Sequence, residues 1–313
     1  MPKLLILSTG GALTIRRALG ARDDQPLTLR ADLTVTIEEF ANLPGSHLTP
    51  QQIFALSQRI QNLRDSFDSI LVTTGSDTLE ETAFLIDLLL PEGPPIVITG
   101  LPRLSGSGFP DANGLLAAIT VAAAPSAANL SVLVVADGAI YAATAVQMQF
   151  SQGVGMITAP TGFLGRVEGD QVYIRLQPLN RQWIAAPRLV EPVDLIRIGQ
   201  GADDRQLRHS IADNVAGIVI ETFGSGRVPP WWLPAIGEAI QRRIPVVAVS
   251  RAGAGGMGDE FGYVGAYHDL RKLGVIFAPD LSGIKARLKL MAALAVARSP
   301  AELRALFQER KDS

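Results

Sequence analysis

The stretch LLILSTGGALT, residues 4–14, begins with four consecutive leucine or isoleucine residues and leads into a turn with two glycines. A continuous apolar run is typical of a strand that is covered on both faces of a sheet, so residues 3–8 are predicted to form one. Comparable runs recur through the first half of the chain, each followed by a helical pattern. The further strands are expected at 69–73, 95–99 and 131–136, and the helices at 49–64, 78–90 and 111–123. This alternation predicts an α/β fold with a parallel sheet.

The second half of the chain repeats this alternation. Its strands are expected at 193–198, 216–220, 244–249 and 274–277, and its helices at 230–243, 262–272, 282–297 and 300–310. Between the halves, residues 162–176 predict a β-hairpin that turns at Gly169-Asp170. The aperiodic residues 177–192 predict a connection. We therefore expect a larger N-terminal domain at 1–180, a linker at 181–212 and a smaller C-terminal domain at 213–313.

Composition limits the classes of function. The chain has 313 residues, is 47% hydrophobic and 19% charged, and carries a net charge of −2, which is typical of a globular protein long enough for two domains. This charge gives no basic surface for nucleic acid or for an anionic membrane. The chain has no cysteine, which excludes disulfides, thiolate metal sites and a cysteine nucleophile. The three histidines (His47, His209 and His268) are scattered, so we expect no metal site.

The beginning of the sequence bears on localisation. The apolar run Leu4–Leu7 is shorter than the roughly 7–15 residues of a signal-peptide core. No other stretch approaches the roughly 20 apolar residues of a membrane-spanning helix. We therefore expect a cytoplasmic protein that does not bind a membrane.

Hydroxyl and glycine residues follow two of the predicted strands. Ser8-Thr9-Gly10-Gly11 follows the first strand, and residues 73–78 (TTGSDT) lead from another strand into a helix. Ligands of open α/β sheets bind at the carboxyl ends of the strands, and hydroxyl and amide groups there suit a carboxylate or an oxyanion. A purely structural interpretation stays open, in which Thr78 and Glu81 form a capping box and Ser76-Asp77 form a turn.

One segment matches the dinucleotide-binding pattern G-x-G-x-x-G. Residues 253–258 (GAGGMG) follow the strand predicted at 244–249. A dinucleotide fingerprint opens directly into a helix, whereas Asp259-Glu260, Gly262 and Gly265 follow here. The segment therefore does not favour a nicotinamide cofactor, and we expect no cofactor.

The two hydroxyl-rich loops resemble those of the bacterial-type L-asparaginases. Residues 9–14 (TGGALT) are similar to the family's T-G-G-T-I-A, and residues 74–83 (TGSDTLEETA) match its H-G-T-D-T-[ML]-E-E-T-A except at Thr74 and Ser76. Further family blocks resemble residues 97–103 with 111–115, 217–226 and 250–255. The resemblance extends through nearly the whole chain. It implies an asparaginase-like fold, with a larger N-terminal parallel-sheet domain and a smaller C-terminal α/β domain.

The resemblance also implies an activity, the hydrolysis of the side-chain amide of asparagine through an acyl-enzyme. It assigns catalytic roles to Ser76 and Asp77, and Asp77 also holds the α-amino group of the substrate. The α-carboxylate contact falls on Ser46, in the segment Pro44-Gly45-Ser46. The remaining substrate-binding positions implied by the two loops are Thr9, Gly11 and Gly75.

Several family positions are degenerate in this chain. Ala12 stands where the family has its nucleophilic threonine, and Met148 stands where it has its relay lysine. Residues 13–35 contain no tyrosine, although a tyrosine of this loop assists the family nucleophile. Arg227 replaces an asparagine that reaches a neighbouring subunit's site. Thr14 is a candidate replacement nucleophile, but an extended segment would put it about 7 Å from the position of Ala12. Ser76 is therefore the best surviving candidate.

Two functions stay open from these residues. The first is an amidohydrolase of asparagine, glutamine or a related small amide, with impaired or altered activity. The second is a non-catalytic sensor or subunit that binds an amino acid on the same fold, since function depends on the site rather than on the fold. A third function, an amidotransferase component that acts on charged tRNA, is not favoured, because this chain has no basic face that could bind the tRNA. The resemblance further implies a homodimer or homotetramer with shared sites.

Overall fold

The computed structural model describes residues 1–10, 27–29, 33–101, 112–130, 132–151, 155–178, 181–253, 255–259 and 261–308. The chain divides into two compact units, Met1–Trp183 and Ile184–Ser313. Gly11, Ala12 and Thr14, which the sequence singled out, lie outside the described residues.

The first unit is built on a mixed sheet. Its described strands are β1 (Lys3–Ser8), β2 (Leu27–Leu29), β3 (Leu33–Glu39), β4 (Ser69–Gly75), β5 (Ile96–Leu101), β6 (Val132–Ala136), β7 (Ala139–Ala142), β8 (Gln147–Met148), β9 (Ile157–Thr158), β10 (Gly165–Glu168) and β11 (Gln171–Ile174). Nine of these described strands form one sheet in the order β11-β10-β7-β6-β5-β4-β1-β3-β2, while β8 and β9 pair separately. The centre, from β6 to β3, is parallel, and the strands at both edges are antiparallel.

The predicted parallel centre and hairpin are confirmed, since β1, β4, β5 and β6 occupy the expected positions and β10 and β11 flank Gly169-Asp170. The antiparallel edge strands β2 and β7 were not expected, nor was the parallel strand β3. Residues 33–39 (LTVTIEE) alternate apolar and polar residues, which is the pattern of a half-buried strand.

Helices cover both faces of this sheet. They are α1 (Pro50–Leu63), α2 (Leu79–Leu89) and α3 (Ala112–Ala122). Alternate residues of the central strands, among them Ile6, Leu71 and Val97, share one buried core with Leu115 and Ile119 of α3. Because strand side chains alternate between faces, the residues between them point to the opposite face.

The capping box predicted at Thr78 and Glu81 is wrong. Thr78 lies at the N-cap of α2, but its side chain makes no capping hydrogen bond, since its hydroxyl donates to the carbonyl of Gly45 instead. A complete capping box lies at the start of α1, where Thr49 and Gln52 bond to each other's backbone.

The second unit has a four-stranded parallel sheet in the order β12-β13-β14-β15. Its strands are β12 (Val193–Arg197), β13 (Gly217–Thr222), β14 (Val246–Ser250) and β15 (Ile276–Phe277). Its helices are α4 (Arg205–Ala212), α5 (Leu233–Gln241), α6 (Tyr267–Leu273), α7 (Gly283–Ala293) and α8 (Pro300–Ala305). The core of this unit includes Trp232, which is 1% exposed.

Two expectations for this unit differ from the structure. The range 181–212, expected as a linker, contains the predicted strand β12, which pairs with β13, and also α4, which was not predicted and packs against this sheet through Leu207 and Ile211. The helix expected at 262–272 begins only at Tyr267. Gly262 and Gly265 have φ of 63° and 87°, which is outside the helical region.

None of the helices in the described part of the chain has the length and apolar character that crossing a bilayer requires.

Candidate active site

The carboxyl ends of β1 and β4 bring two threonines together. Ser8 of β1 pairs with Thr73 of β4, so the residues that follow, Thr9 and Thr74, are also neighbours. Thr9 is fully buried, and its backbone N–H donates to the Thr73 carbonyl at 3.0 Å. Its hydroxyl lies 3.2 Å from the hydroxyl of Thr74 and 3.3 Å from the carbonyl of Thr73. Thr9 therefore joins the two strands at the edge where ligands of α/β sheets bind.

Two short 3-10 turns meet beside this pair of threonines. One turn covers Gly45–His47, and the other, Ser76–Thr78, continues β4 into α2. Thr78 Oγ1 donates to the carbonyl of Gly45 at 3.1 Å. A methyl group on Gly75 would lie 2.6 Å from the amide nitrogen of Gly45, so only glycine permits this approach. The two turns are therefore fixed against each other by their backbones.

The polar side chains of these turns reach solvent, while the glycines between them are packed. Ser46 and Asp77 are exposed, Ser76 is half-buried and Gly45 is buried. The two turns therefore offer two hydroxyls and a carboxylate to a small molecule on a rigid backbone. The sequence-predicted residues Ser46, Ser76 and Asp77 lie in these turns, and Gly75 ends β4 directly before the second turn.

Acidic residues are concentrated at the start of α2. Asp77 precedes α2, and Glu80 and Glu81 lie in its first turn. Three carboxylates at one helix start favour a cationic group, such as the ammonium of an amino acid, over an inorganic anion. These carboxylates are consistent with a ligand that carries an ammonium group.

The structure also brings Met148 to this helix. The backbone N–H of Met148, in β8, donates to Oε2 of Glu80 at 2.6 Å. Met148, which the resemblance assigns to the position of the relay lysine, therefore contacts Glu80 in the first turn of α2. This contact of Glu80 was not predicted, and the only signal for it in the sequence was the place of Glu80 in the motif at residues 74–83.

Four further site residues were predicted from the sequence. Gly11, Ala12 and Thr14 lie outside the described residues, and Arg227 belongs to the second unit. Within the described residues, no group of three or more histidine, aspartate or glutamate side chains could hold a metal ion. Among the described residues after the segment 253–258, the next helix begins at Tyr267.

Comparison with known proteins covers both units. Residues 3–180 match the family described as "Asparaginase, N-terminal", and residues 192–307 match the "Glutaminase/Asparaginase C-terminal domain". The chain is 30% identical to an L-asparaginase of Bacillus licheniformis over 307 residues, which cover 94% of this chain and 95% of the relative. It is 32% identical to a probable L-asparaginase of Deinococcus radiodurans over 319 residues, which cover 99% and 98%.

The predicted family resemblance and the two-domain fold are therefore confirmed, and the matches extend over both sheets and over the motif that links β4 to α2. Together with the turns at the carboxyl edge of the first sheet, they show that this chain belongs to the asparaginase family.

Proposed function

We propose that this chain hydrolyses the side-chain amide of L-asparagine or of a related small amide, at a reduced rate. One observation carries the proposal, which is the backbone contact that fixes the Gly45–His47 turn against the Ser76–Thr78 turn. This contact keeps Asp77, which would bind the α-ammonium group of an amino acid, close to Ser46, which would bind its α-carboxylate. The names of the two relatives, an L-asparaginase and a probable L-asparaginase, support the choice of substrate.

In this proposal the two turns bind the amino-acid part of the substrate. The carboxylate of Asp77, in an acidic surrounding, holds the α-ammonium group. The hydroxyl of Ser46 donates to the α-carboxylate. Thr9 and Gly75 keep the strand ends and the turns in place, and Gly11 belongs to the same substrate-binding loop as Thr9.

The chemical step is an acyl transfer. The Oγ of Ser76 attacks the amide carbon, its proton passes to the departing nitrogen and ammonia leaves, so that an ester forms at Ser76. Water then cleaves the ester, which releases aspartate and restores the hydroxyl. Ala12 and Met148 cannot supply the hydroxyl and the ammonium of the usual catalytic set, and loss of such groups slows catalysis by orders of magnitude. Thr14 is the second candidate nucleophile.

The wider setting is part of the proposal. We propose that the protein is cytoplasmic, requires no cofactor and forms a homodimer or homotetramer with shared sites. Arg227 would then replace the asparagine that family members contribute to a neighbouring site.

A second candidate function is a non-catalytic amino-acid sensor or subunit. The degenerate positions Ala12 and Met148, together with the absence of tyrosine from residues 13–35, favour it. The same two turns would bind the ligand, but no acyl transfer would follow.

Ammonia release from L-asparagine and L-glutamine separates the two functions. We expect slow release by the wild-type chain and faster release by a variant with Ala12→Thr and Met148→Lys. Ligand binding that saturates and raises the melting temperature, without any ammonia release by the wild type, would instead support the sensor. Absence of both binding and turnover would reject both functions.

A further inference from the structure

The strand β11 forms one end of the nine-stranded sheet of the first unit. Among the described strands, β10 is its neighbour on one side and no strand lies on the other. The two-residue turn Gly169-Asp170 joins β10 to β11, so that Arg166 of β10 lies opposite Tyr173 of β11. An edge strand of this kind presents unpaired backbone groups that can bind a strand of another chain.

The pairing with β10 determines which backbone groups of β11 point outward. The N–H of Arg175 donates to the carbonyl of Leu164, directly before β10, at 2.9 Å. Because hydrogen-bonded and non-hydrogen-bonded pairs alternate along an antiparallel ladder, the N–H of Tyr173 also points to β10. The N–H and C=O groups of Val172 and Ile174 therefore point away from β10, toward the open side of the sheet.

The residue opposite Val172 supports this assignment. It is Val167, and its N–H donates to the carbonyl of Gly138 at 2.9 Å rather than to β11. Val167 and Val172 are therefore a non-hydrogen-bonded pair. A further strand could bind the backbone of Val172 and Ile174 without breaking a hydrogen bond of the hairpin.

The side chains of β11 differ between the two faces of the sheet. Val172 and Ile174 pack against the buried core of the first unit. Tyr173 lies on the opposite face and is 49% exposed. Arg166, across from Tyr173, has its guanidinium carbon 4.5 Å from the ring centroid of Phe163. A row of cationic and aromatic side chains therefore extends to the open edge.

The charges around β11 have opposite signs at its two ends. Glu168 and Asp170 precede the strand and Arg175 follows it, and all three are exposed. When two copies of such a strand pair antiparallel about a twofold axis, the acidic end of each lies beside the basic end of the other. A parallel pair would bring like charges together, which is destabilising. This complementarity favours a second copy of the chain as the partner, in the antiparallel direction.

We propose that β11 pairs antiparallel with the β11 of a second copy of this chain, about a twofold axis at Tyr173. The backbones of Val172 in one copy and Ile174 in the other then form hydrogen-bonded pairs. The two Tyr173 side chains lie directly opposite each other, where aromatic pairs stabilise a sheet. This surface belongs to the first unit, whereas Arg227, which would reach a neighbouring site, belongs to the second. The proposal does not depend on amide hydrolysis.

A single introduced cysteine tests the contact, because the chain has no cysteine of its own. Residues that lie opposite in a non-hydrogen-bonded pair have Cα atoms about 4.5 Å apart, which is within the range of a disulfide. We expect Tyr173→Cys to form a disulfide-linked dimer under mild oxidation. Lys272→Cys, at an exposed position of α6, is the control and should stay unlinked on a non-reducing gel.

Position 171 provides a second test. In the proposed pair, Gln171 of one copy lies opposite Arg175 of the other. We therefore expect Gln171→Glu to strengthen self-association roughly fivefold and Gln171→Lys to weaken it by a similar factor. Within one chain Gln171 lies opposite Glu168, so the same substitutions change the stability of the hairpin in the opposite direction. Sedimentation velocity at constant ionic strength measures the self-association.

Several results would overturn the proposal. They are a wild type that stays monomeric at every concentration tested, equal disulfide yields for Tyr173→Cys and Lys272→Cys, and self-association that is unchanged or reversed in the two Gln171 variants. Self-association of the wild type without a disulfide-linked Tyr173→Cys dimer would assign the contact to another surface.

Discussion

Gly75 and Gly45 touch backbone to backbone, since a methyl group on Gly75 would lie 2.6 Å from the amide nitrogen of Gly45 and 2.8 Å from its Cα. Gly75→Ala must therefore move the turn that carries Ser46 away from the turn that carries Ser76. Relief of such a clash costs about 1–3 kcal/mol. We expect a fall of at least about tenfold in kcat/KM for ammonia release, or in amino-acid affinity, with the fold preserved.

Gly199→Ala is the control for this prediction, because a methyl group there meets nothing within 4 Å and φ is ordinary. It should leave both kcat/KM and the melting temperature unchanged. Wild-type kinetics and ligand affinity in Gly75→Ala would show that the two turns need not stay in contact for function.

The hydroxyl of Thr78 is the second link between the two turns. Thr78→Val removes the hydrogen bond to the buried Gly45, and a lost bond of this kind costs about 1 kcal/mol. We expect KM for L-asparagine to rise about fivefold, while Thr78→Ser keeps the donor and stays close to wild type. Steady-state kinetics on the three proteins checks this. Equal KM values for Thr78→Val and Thr78→Ser would show that this hydrogen bond does not contribute to substrate binding.

A buried ion pair holds the end of the first unit to α2. Arg181 Nε lies 3.1 Å from Asp87 Oδ1, and Arg181 also donates to the carbonyl of Leu90 at 2.6 Å. Burial raises the pKa of Asp87 above its ordinary value, although Arg181 and the N–H of Val132 oppose this. Removal of the cation alone leaves a buried carboxylate, so we expect Arg181→Met to cost about 3 kcal/mol, more than Asp87→Asn does.

Because the pKa of Asp87 is raised in the folded protein, the direction in which its contribution to stability changes with pH can be predicted. The folded state binds the proton more tightly than the unfolded state, so the contribution of Asp87 to stability falls as pH rises between the two pKa values. Arg181→Met should steepen this fall, and Asp87→Asn should abolish it. Urea unfolding from about pH 4 to about pH 8 measures both effects. An Arg181→Met protein that gains stability with rising pH over this interval would contradict the assignment.

Lys289 of α7 is predicted to reduce stability at neutral pH. Burial lowers its pKa to about 8 from the ordinary 10.5, against the opposing charge of Asp280, and its Nζ lies 4.9 Å from the ring centroid of Phe307. The unfolded state therefore binds the proton more tightly, so the free energy of unfolding increases as pH rises from 8 to 10.5. Below pH 8 the lysine is charged in both states, and its full destabilising effect is present.

Lys289→Met should stabilise the protein at neutral pH by at most about 2 kcal/mol, after allowance for the partial exposure of the lysine. It should also remove the rise in alkaline solution. Lys272→Met, at an exposed position of α6, is the control and should change neither quantity. Denaturant unfolding of the three proteins at neutral and alkaline pH makes the comparison. A destabilised Lys289→Met would show that the contact with Phe307 outweighs the cost of burial.

Much of the fold could be predicted because its central strands are continuous apolar runs, as in residues 3–8 and 246–250. Patterns with weaker apolar periodicity were missed. In α4, only Leu207 and Ile211 of the eight positions are buried apolar residues, so the pattern barely differs from a polar loop. In the segment before α6, the positive φ of Gly262 and Gly265 overrides the apolar neighbours that suggested a longer helix.

The sequence predicts candidate site residues but not how they are arranged in space. Motif positions identified Ser46, Ser76 and Asp77, which the fold brings into adjacent turns. The hydrogen bond from Thr78 to Gly45 links positions far apart in sequence, so local propensity favoured a capping box instead. The contact between Glu80 and Met148 also joins positions far apart in sequence. Its donor is a backbone N–H, which nearly every residue type has, so the side chain at position 148 could not predict it.

Ser76, in the turn fixed against Gly45–His47, is proposed above as the nucleophile of a slow amide hydrolysis. Its most direct test is kcat for ammonia release from L-asparagine by the wild type, Ser76→Ala and Ser76→Thr, with the melting temperature of each as a check on folding. We predict that Ser76→Ala abolishes ammonia release, while Ser76→Thr retains it because a hydroxyl remains. Unchanged ammonia release by Ser76→Ala would contradict the account and would direct attention to Thr14.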